Sequence, residues 1–514
     1  MSVTREPPTP PKQNARTEDR RSAGAMATRG ALWSFLDLGL GQALGAAVFL
    51  VVTRLITPAE LGVFTIVVVI VGFTHVPVAQ GLGEALIQRP SIDEDHRSTA
   101  FWANIGLGLV IAAALALSAN LLADRFHMPA LAPVMRWMAL CPLIDSLATT
   151  QLALLRRDLS MAVFAAKSFF GYSAGGAVAI ALAWYGWGVW ALVAQQLTLW
   201  SMVAIVAWSF SRWRPRLRFS FAALTDLRGY ASYNALSQLV MGLDDRVGSL
   251  IVGSLFNAEI VGYYGLGQRI LHLIGMATLS SLESVVLPVL SRVNDNRASF
   301  NRTYISMVIA ATIFWLPACW GFGIMAPGLV PMIFGRQWSG AIPLIQIVTL
   351  AAFVNGFTAL TAHVLGALGR PNWMTVLSAV QLAITVPAYF LLGARFGVLG
   401  AAFAWPLTWA LIAPLHLLAI RKFSGVPLAT LLRDYGKIVG AAIMMTIAVF
   451  GVRAVMPNLV VEILTGGAVY AAAIVILAPD YVKTIINLLR RALQRHSGAV
   501  SRSISHIGAP SSSR

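Results

Sequence analysis

The chain has 514 residues, 57% of them hydrophobic and 11% charged, with a mean hydropathy of +0.73 and a formal net charge of +17. Soluble domains are about 45–50% apolar and about 25% charged. Most of these residues are therefore solvated by lipid or by other helices, and no polar stretch can hold a soluble catalytic domain of about 100–200 residues. The positive charge then sets orientation in a bilayer rather than marking a nucleic-acid partner. Cys141 and Cys319 both lie in apolar runs. They read as small buried hydrophobes, with no disulfide framework or zinc-ligand spacing.

Residues 1–30 are polar, Pro-containing and basic, with Arg5, Lys12, Arg16, Arg20, Arg21 and Arg29. Composition predicts a disordered cytoplasmic tail. It is not a cleavable signal, because the apolar run after it is longer than an h-region and another span follows at once. A span needs about 20 mostly apolar residues. About fourteen such runs follow, at 31–56, 61–87, 99–122, 131–155, 161–184, 189–210, 230–256, 261–290, 304–325, 341–365, 372–392, 398–420, 437–455 and 459–478. They are too long and continuous for barrel strands, so the expected fold is all-α and integral to the membrane. Residues 211–229 form a basic linker, 480–496 an amphipathic helix on the inner leaflet, and 497–514 a Ser-rich disordered tail.

Basic residues sort by side. Alternate connections collect those at 89–97, 156–167, 212–228, 292–302, 370, 421–437 and 483–495, while the other side holds Arg54, Arg125, Arg336, Arg395 and Arg453. Positive residues stay inside, so both termini are expected in the cytoplasm. Trp184, Trp187, Trp213, Trp338 and Trp373 near span ends fit an interfacial belt.

Three short matches recur in the same order. Leu55–Phe64 is echoed by Leu255–Tyr264, Leu155-Arg156-Arg157 by Leu368-Gly369-Arg370, and Gly188-Val189 by Gly397-Val398. They suggest two six-helix lobes, 31–210 and 230–422, related by a parallel repeat, with helices at 437–478 added. Two related lobes about a central site are the alternating-access design.

Charge at membrane depth is expensive and so faces a partner, a wet cavity or a substrate. In the seventh span Asn234, Gln238, Asp245 and Ser249 fall on one narrow face, with Asp244, Gly242 and Arg246 beside it. The first span carries Ser34, Asp37, Gly41 and Gly45 in a similar stripe. The eighth carries Gly265, Gln268, His272 and Gly275, with Arg269 alongside. These faces are expected to line a cleft between lobes. Arg246, Arg269, Gln238, Asn234 and His272 are then candidates for substrate contact, and Asp37, Asp145, Asp244 and Asp245 for ion coupling. The other reading of each charge is an internal ion pair that holds helices together. Glu84, Glu283 and Arg136 are further charges in or near spans, and His75, His363 and His416 read as satisfied buried histidines.

The stretch Arg54–Phe64 (RLITPAELGVF), with Gly81–Arg89 (GLGEALIQR), resembles the polysaccharide transporters of the lipopolysaccharide and exopolysaccharide pathways. Thr99–Trp102, Trp213–Leu217, Phe334–Trp338 and Leu368–Pro371 look like other landmarks of the same family. It belongs to the multidrug/oligosaccharidyl-lipid/polysaccharide superfamily, and the resemblance covers about residues 28–480. It implies a flippase that moves undecaprenyl-pyrophosphate-linked oligosaccharide repeat units across the bacterial inner membrane. It also implies a V-shaped pair of lobes around a cationic cavity, with a polysaccharide polymerase and export machinery as partners. The family often has an Asp-Arg pair nearer the Gly before the turn; here Asp245-Arg246 lies about one turn earlier relative to Gly253. A drug exporter of the same superfamily and a membrane-embedded polymerase are the alternatives. The polymerase would need a long polar outside loop, and none is present. No Gly-rich phosphate loop with a Lys occurs, so neither ATP nor another cofactor is expected. Reporters fused after Arg20 and after Arg495 should both read cytoplasmic, and one at 456–458 periplasmic; a periplasmic C-terminal reporter would put the count off by one span.

Overall fold

The computed structural model describes residues 39–77, 81–370, 372–481 and 483, with the backbone alone over 76–77, 228–241, 244–245, 280–281 and 283–284. The expected tails, nearly all of the amphipathic helix at 480–496, Ser34 and Asp37 lie outside the described residues. So do the side chains of Asn234, Gln238, Asp244, Asp245 and Glu283. Every regular element described is helical, and the chain divides into two compact units, one up to Leu239 and one from Val240.

Unit one holds α1 (Gly39–Leu55), α2 (Pro58–Pro77), α3 (Gly83–Gln88), α4 (Glu94–Arg125), α5 (Leu131–Met138), α6 (Leu140–Arg157), α7 (Met161–Trp184) and α8 (Val189–Phe210). It also holds the first half of α9 (Phe221–Leu255). Local chemistry sets the starts. Thr57 N donates to Glu60 Oε2 at 2.7 Å, Glu60 N donates to Thr57 Oγ1 at 3.4 Å, and Pro58 opens the helix. This is a reciprocal cap with proline where its missing N–H costs nothing. Asp93 caps α4 by accepting from His96 N at 2.9 Å. The end of α3 is capped from another helix. The Arg157 guanidinium donates to the carbonyls of Leu86 (3.0 Å) and Pro90 (2.6 Å) and also to that of Arg89. A cation belongs there, where helix carbonyls are left unpaired. In α7, a Cβ on Gly175 would lie 2.8 Å from the Gln195 carbonyl of α8. Hydrocarbon does not drive helices together, so close backbone approach through small residues does.

The basic linker is not slack. Trp102 Nε1 donates to Arg216 O at 2.8 Å, Arg216 N donates to Ser98 Oγ at 3.2 Å, and Ser220 N donates to Thr99 Oγ1 at 2.9 Å. Trp213 Nε1 donates to the Glu94 carboxylate at 3.1 Å and 3.2 Å. The strand of linker is thus strapped along the first turns of α4. The start of α9 is tied down as well. Asp226 meets Arg89 at 3.0 Å, and Leu227 packs with Ala85, Leu86, Ala100 and Ala153.

Unit two holds the rest of α9, then α10 (Ala258–Thr278), α11 (Ser280–Arg292) and α12 (Arg297–Ile333). Three short helices follow, α13 (Ile342–Val348), α14 (Ala352–Thr358) and α15 (Thr361–Ala367), then α16 (Asn372–Ser424), α17 (Leu428–Val455) and α18 (Leu459–Leu477). Asn257 and Asn296 cap α10 and α12 by accepting from Ile260 N and Ser299 N, each at 3.0 Å. The run at 341–365, expected as one span, is one, within 336–367, and is subdivided by a 3-10 turn at Thr349–Ala351 and by Leu360. Between α17 and α18, Glu462 is buried and meets Arg453 Nε at 3.0 Å and Nη2 at 2.6 Å. Arg453 Nη2 also donates to Ile324 O of α12 at 3.0 Å.

Among the described residues, ten helices are long and apolar enough to cross a membrane. Four effects separate ten from fourteen. The first helix is described only from Gly39, and α9 is apolar enough only over Arg246–Leu255. The α10 helix is not among the ten. The 53-residue α16 counts once, although non-helical Gly397 divides it in two.

Two helix ends recur in kind. At the end of α6, Ser160 N donates to Leu155 O (3.0 Å) and Leu159 has φ 53°. At the end of α15, Arg370 N donates to Leu365 O (2.8 Å) and Gly369 has φ 69°. Both are left-handed helix stops closed by a six-to-one bond. Gly188 (φ 54°, ψ −126°) and Gly397 (φ 63°, ψ −147°) also share one backbone state. Leu155 therefore corresponds to Leu365, three residues before the Leu368 that sequence alone aligns with it.

Trp338 is a correction: it is 0% exposed and packs on Tyr263 at 6.2 Å between ring centroids, so it is a core residue and not part of a belt.

The strap has a measurable pH dependence. The Arg89 hydrogen bond and charge hold the Asp226 carboxyl below its ordinary value, with smaller help from His96. A lowered carboxyl contributes stability above its unfolded value, about 3.9, and loses it as pH falls through the folded one. Hydrogen exchange at 219–227, corrected for intrinsic rate, should stay slow at neutral pH and rise below about pH 4. In Asp226→Asn it should be modestly faster at neutral pH and lose this pH dependence.

Candidate functional site

The helices α9 and α10 form an antiparallel hairpin around Phe256 and Asn257. One hydrogen bond sets its register: Ser249 Oγ donates to Gln268 Oε1 at 2.8 Å. Gln268 Nε2 then donates to Tyr264 Oη at 3.1 Å, and Tyr264 Oη meets Tyr389 Oη of α16. Four polar side chains from three helices thus answer one another. Ser249 and Gln268, expected to face a cleft, are spent on holding helices together. In lipid a hydroxyl or amide must find a protein partner.

The register places the charges. Arg246 lies three residues before Ser249, about 4.5 Å along the helix. Arg269 and His272 lie one and four residues past Gln268, in the same direction away from the turn. All three therefore sit within about one turn of each other on one hairpin. Arg246 and Arg269 are half-buried and neither lacks an interaction; His272 is exposed. Of the five candidates for substrate contact, these three lie at one level along the hairpin, and the side chains of Asn234 and Gln238 lie outside the described residues.

Three glycines of the other stripes lie against side chains of neighbouring helices. A Cβ on Gly41 would lie 3.0 Å from Tyr172 of α7, and one on Gly45 3.3 Å from it. A Cβ on Gly275 would lie 3.1 Å from Trp315 of α12. Glycine and serine suit a wet cleft and a close helix crossing equally, so sequence alone does not separate the two.

In unit one, Asp145 is buried and its Oδ2 lies 2.6 Å from His75 Nδ1. His75 is thus not a satisfied buried singleton: its side chain is 38% exposed and it faces a carboxylate. The other two histidines also depart from expectation. Both ring nitrogens of His416 and Nδ1 of His363 are buried without a hydrogen-bond partner. Arg136 donates to Asn120 Oδ1 at 2.8 Å, and Glu84 pairs with Arg156 at 3.2 Å. Both are answered by neighbours in their own unit. Among the described residues no group of three or more His, Cys, Asp or Glu is placed to hold a metal ion.

Tyr264 and Tyr389 were missed by the sequence reading. They are 125 residues apart, on different helices. Gly248 makes their meeting possible, since a Cβ there would lie 2.6 Å from Tyr389 Oη and 3.1 Å from Tyr264 Oη. Gly248→Ala should push the tyrosines apart. Overpacking costs about 1–3 kcal/mol, against a helix-propensity gain of up to about 1 kcal/mol. Thermal unfolding of the purified protein should fall for Gly248→Ala and less for Tyr389→Phe; an alanine variant as heat-stable as the parent would show that the contact contributes nothing.

Comparison with known proteins agrees with this architecture. Residues 51–343 match the family described as polysaccharide biosynthesis protein. The lipopolysaccharide biosynthesis protein WzxC of Escherichia coli is 21% identical over 380 residues, 74% of this chain and 77% of that one. The succinoglycan biosynthesis transport protein ExoT of Rhizobium meliloti is 24% identical over 325 residues, 63% of this chain and 66% of that one. Among solved structures, the lipid II flippase MurJ in an inward closed conformation superposes with a TM-score of 0.73. It covers 88% of this chain and 100% of its own at 14% identity. An inward-facing multidrug resistance MATE transporter gives 0.59 over 76% of this chain at 16% identity. At such identities the likeness is one of fold alone. The family match spans more than half the sequence, and the chain belongs to the polysaccharide biosynthesis protein family, as a multi-pass, all-helical membrane protein.

Proposed function

We propose that the chain is a flippase that carries undecaprenyl-pyrophosphate-linked oligosaccharide repeat units across the bacterial inner membrane by alternating access. On this reading both termini lie in the cytoplasm, and a polysaccharide polymerase and export machinery take the product onward. The observation that carries the reading is the α9–α10 hairpin, where Arg246 and Arg269 stand within about a turn of the Ser249–Gln268 bond. A pyrophosphate cannot cross about 30 Å of hydrocarbon bare. A guanidinium is always charged and grips phosphate bidentately, so two of them at membrane depth suit an anionic head group. Asp244 and Asp245 lie beside Arg246 on the same hairpin, and a site that they governed would suit the cationic drugs of a multidrug exporter instead. The family match supports the polysaccharide pathway.

Deleting the gene should abolish surface polysaccharide while lipid-linked repeat units accumulate on the cytoplasmic leaflet. Units that reach the periplasm unpolymerised in the deletion strain would favour a polymerase. Arg246→Ala and Arg269→Ala should each lose complementation at normal protein level, and Arg→Lys should keep part of it. If Arg246 only pairs with Asp244 or Asp245, a neutral double variant should regain full complementation, which would remove Arg246 from substrate contact.

A further inference from the structure

The basic linker presents a surface that its straps leave uncovered. Residues 211–220 (SRWRPRLRFS) carry four arginines and no acid. Arg214 is spent on the end of α8, where its guanidinium donates to the carbonyls of Ser211 at 2.6 Å and Trp213 at 2.9 Å. The other three face outward. Arg212 and Arg218 are exposed, and Arg216 is 64% exposed with its Nε 4.0 Å from Glu94. Glu94 is itself engaged by Trp213 Nε1 and by Ser98 Oγ at 3.1 Å.

Bulky apolar side chains stand among these arginines. Arg218 N donates to Arg216 O at 2.8 Å and closes a three-residue turn with Leu217 at its apex. The same Arg216 carbonyl accepts from Trp102, and Arg216 N donates to Ser98, so the base of the turn is pinned to α4. The apex is thrown outward, and Leu217 is 91% exposed. Phe219 and Phe221 follow at 47% and 78% exposed, their rings edge to face with centroids 5.2 Å apart. An exposed apolar side chain on a spanning helix is simply solvated by lipid. These three lie outside every candidate span, and there a cluster of large apolar side chains marks an interaction surface.

The straps also fix the height of this surface. Its anchors are Ser98, Thr99 and Trp102, where the charged start of α4, at 94–97, gives way to the apolar run of that helix. The linker therefore runs along the level at which α4 enters hydrocarbon. We propose that it is a docking surface for anionic phospholipid. Leu217, Phe219 and Phe221 enter the acyl boundary of the leaflet where α4 begins, while Arg212, Arg216 and Arg218 hold the phosphates of its lipids. Apolar burial and charge attraction act together at such a boundary, and each arginine beside an anionic leaflet is worth about fivefold in binding. A nucleic acid or an acidic protein would satisfy the arginines and leave three apolar side chains in water at the edge of the bilayer. The surface belongs to unit one, apart from the cationic hairpin, and requires only that α4 crosses a membrane; it stands whether or not the chain is a flippase.

The test uses the full chain in nanodiscs of phosphatidylcholine, alone or mixed with phosphatidylglycerol. A polarity-sensitive fluorophore is attached at Leu217→Cys and, separately, at Phe221→Cys. Cys141 and Cys319 are buried, and the parent taken through the same labelling gives the background. Nitroxide-bearing lipid should quench both labels several-fold more in the anionic discs than in the neutral ones, and dissolved acrylamide correspondingly less. High salt should erase the difference. So should Arg212, Arg216 and Arg218 replaced together by Gln, a change that keeps the backbone straps and the Arg214 cap. Labels open to acrylamide and untouched by nitroxide lipid in both discs would place the linker in water and overturn the proposal. Labels shielded from both quenchers would mean that protein covers the surface, which overturns it as well. Equal nitroxide quenching in neutral and anionic discs would remove the arginines from lipid contact and overturn the preference for anionic lipid.

Discussion

Hydrocarbon offers no hydrogen bonds, and this constraint shapes how the polar side chains described above are used. A group at membrane depth that no protein atom answers costs several kcal/mol. The structure answers them in graded ways. Glu462 accepts twice from Arg453, which has a third bond to the Ile324 carbonyl, so that ion pair is saturated and structural. The Ser249–Gln268–Tyr264–Tyr389 chain is closed link by link. His75 and Asp145 share one short contact, with the ring open on its far side. The less completely a charge is answered, the more room it leaves for a ligand to complete it.

Much of the fold was legible because the same constraint writes itself into sequence. Backbone must be helical in lipid, so long apolar runs mark helices, and caps such as Thr57–Glu60 and Asn257 mark their starts. The 341–365 run was read correctly as one span, but not its internal turn. Hydropathy counts apolar residues and is blind to a 3-10 turn at Thr349–Ala351, whose backbone stays helical enough to satisfy itself. Trp338 deceived in a similar way, since proximity to a span end says nothing of whether a ring faces lipid or core.

The candidate site was legible only in part. Arg246, Arg269 and His272 stood out because charge in an apolar run is rare. Their mutual placement came from a hydrogen bond between Ser249 and Gln268, which sequence cannot display. The stripes of Gly41, Gly45 and Gly275 misled because small residues serve close packing as well as open space. His75 was undervalued because its partner lies seventy residues away on another helix. The twin left-handed stops after α6 and α15, and the twin glycines at 188 and 397, support the duplicated design. One of them, Leu159, is not even glycine, so the echo was fainter in letters than in backbone angles.

The Arg453–Glu462 pair bears on how the chain enters the bilayer. The two charges lie nine residues apart, on either side of the turn between α17 and α18. An arginine costs about 2.5–3.5 kcal/mol at a helix centre on insertion scales, and less toward the helix end where Arg453 lies. Delivered together, with the carboxylate already on the guanidinium, they carry no net charge. The last two helices are thus suited to cross as one hairpin with its tip neutralised, and their biogenesis is bimolecular in neither space nor time. A ribosome that paused between them would leave an arginine waiting for its acid at the membrane.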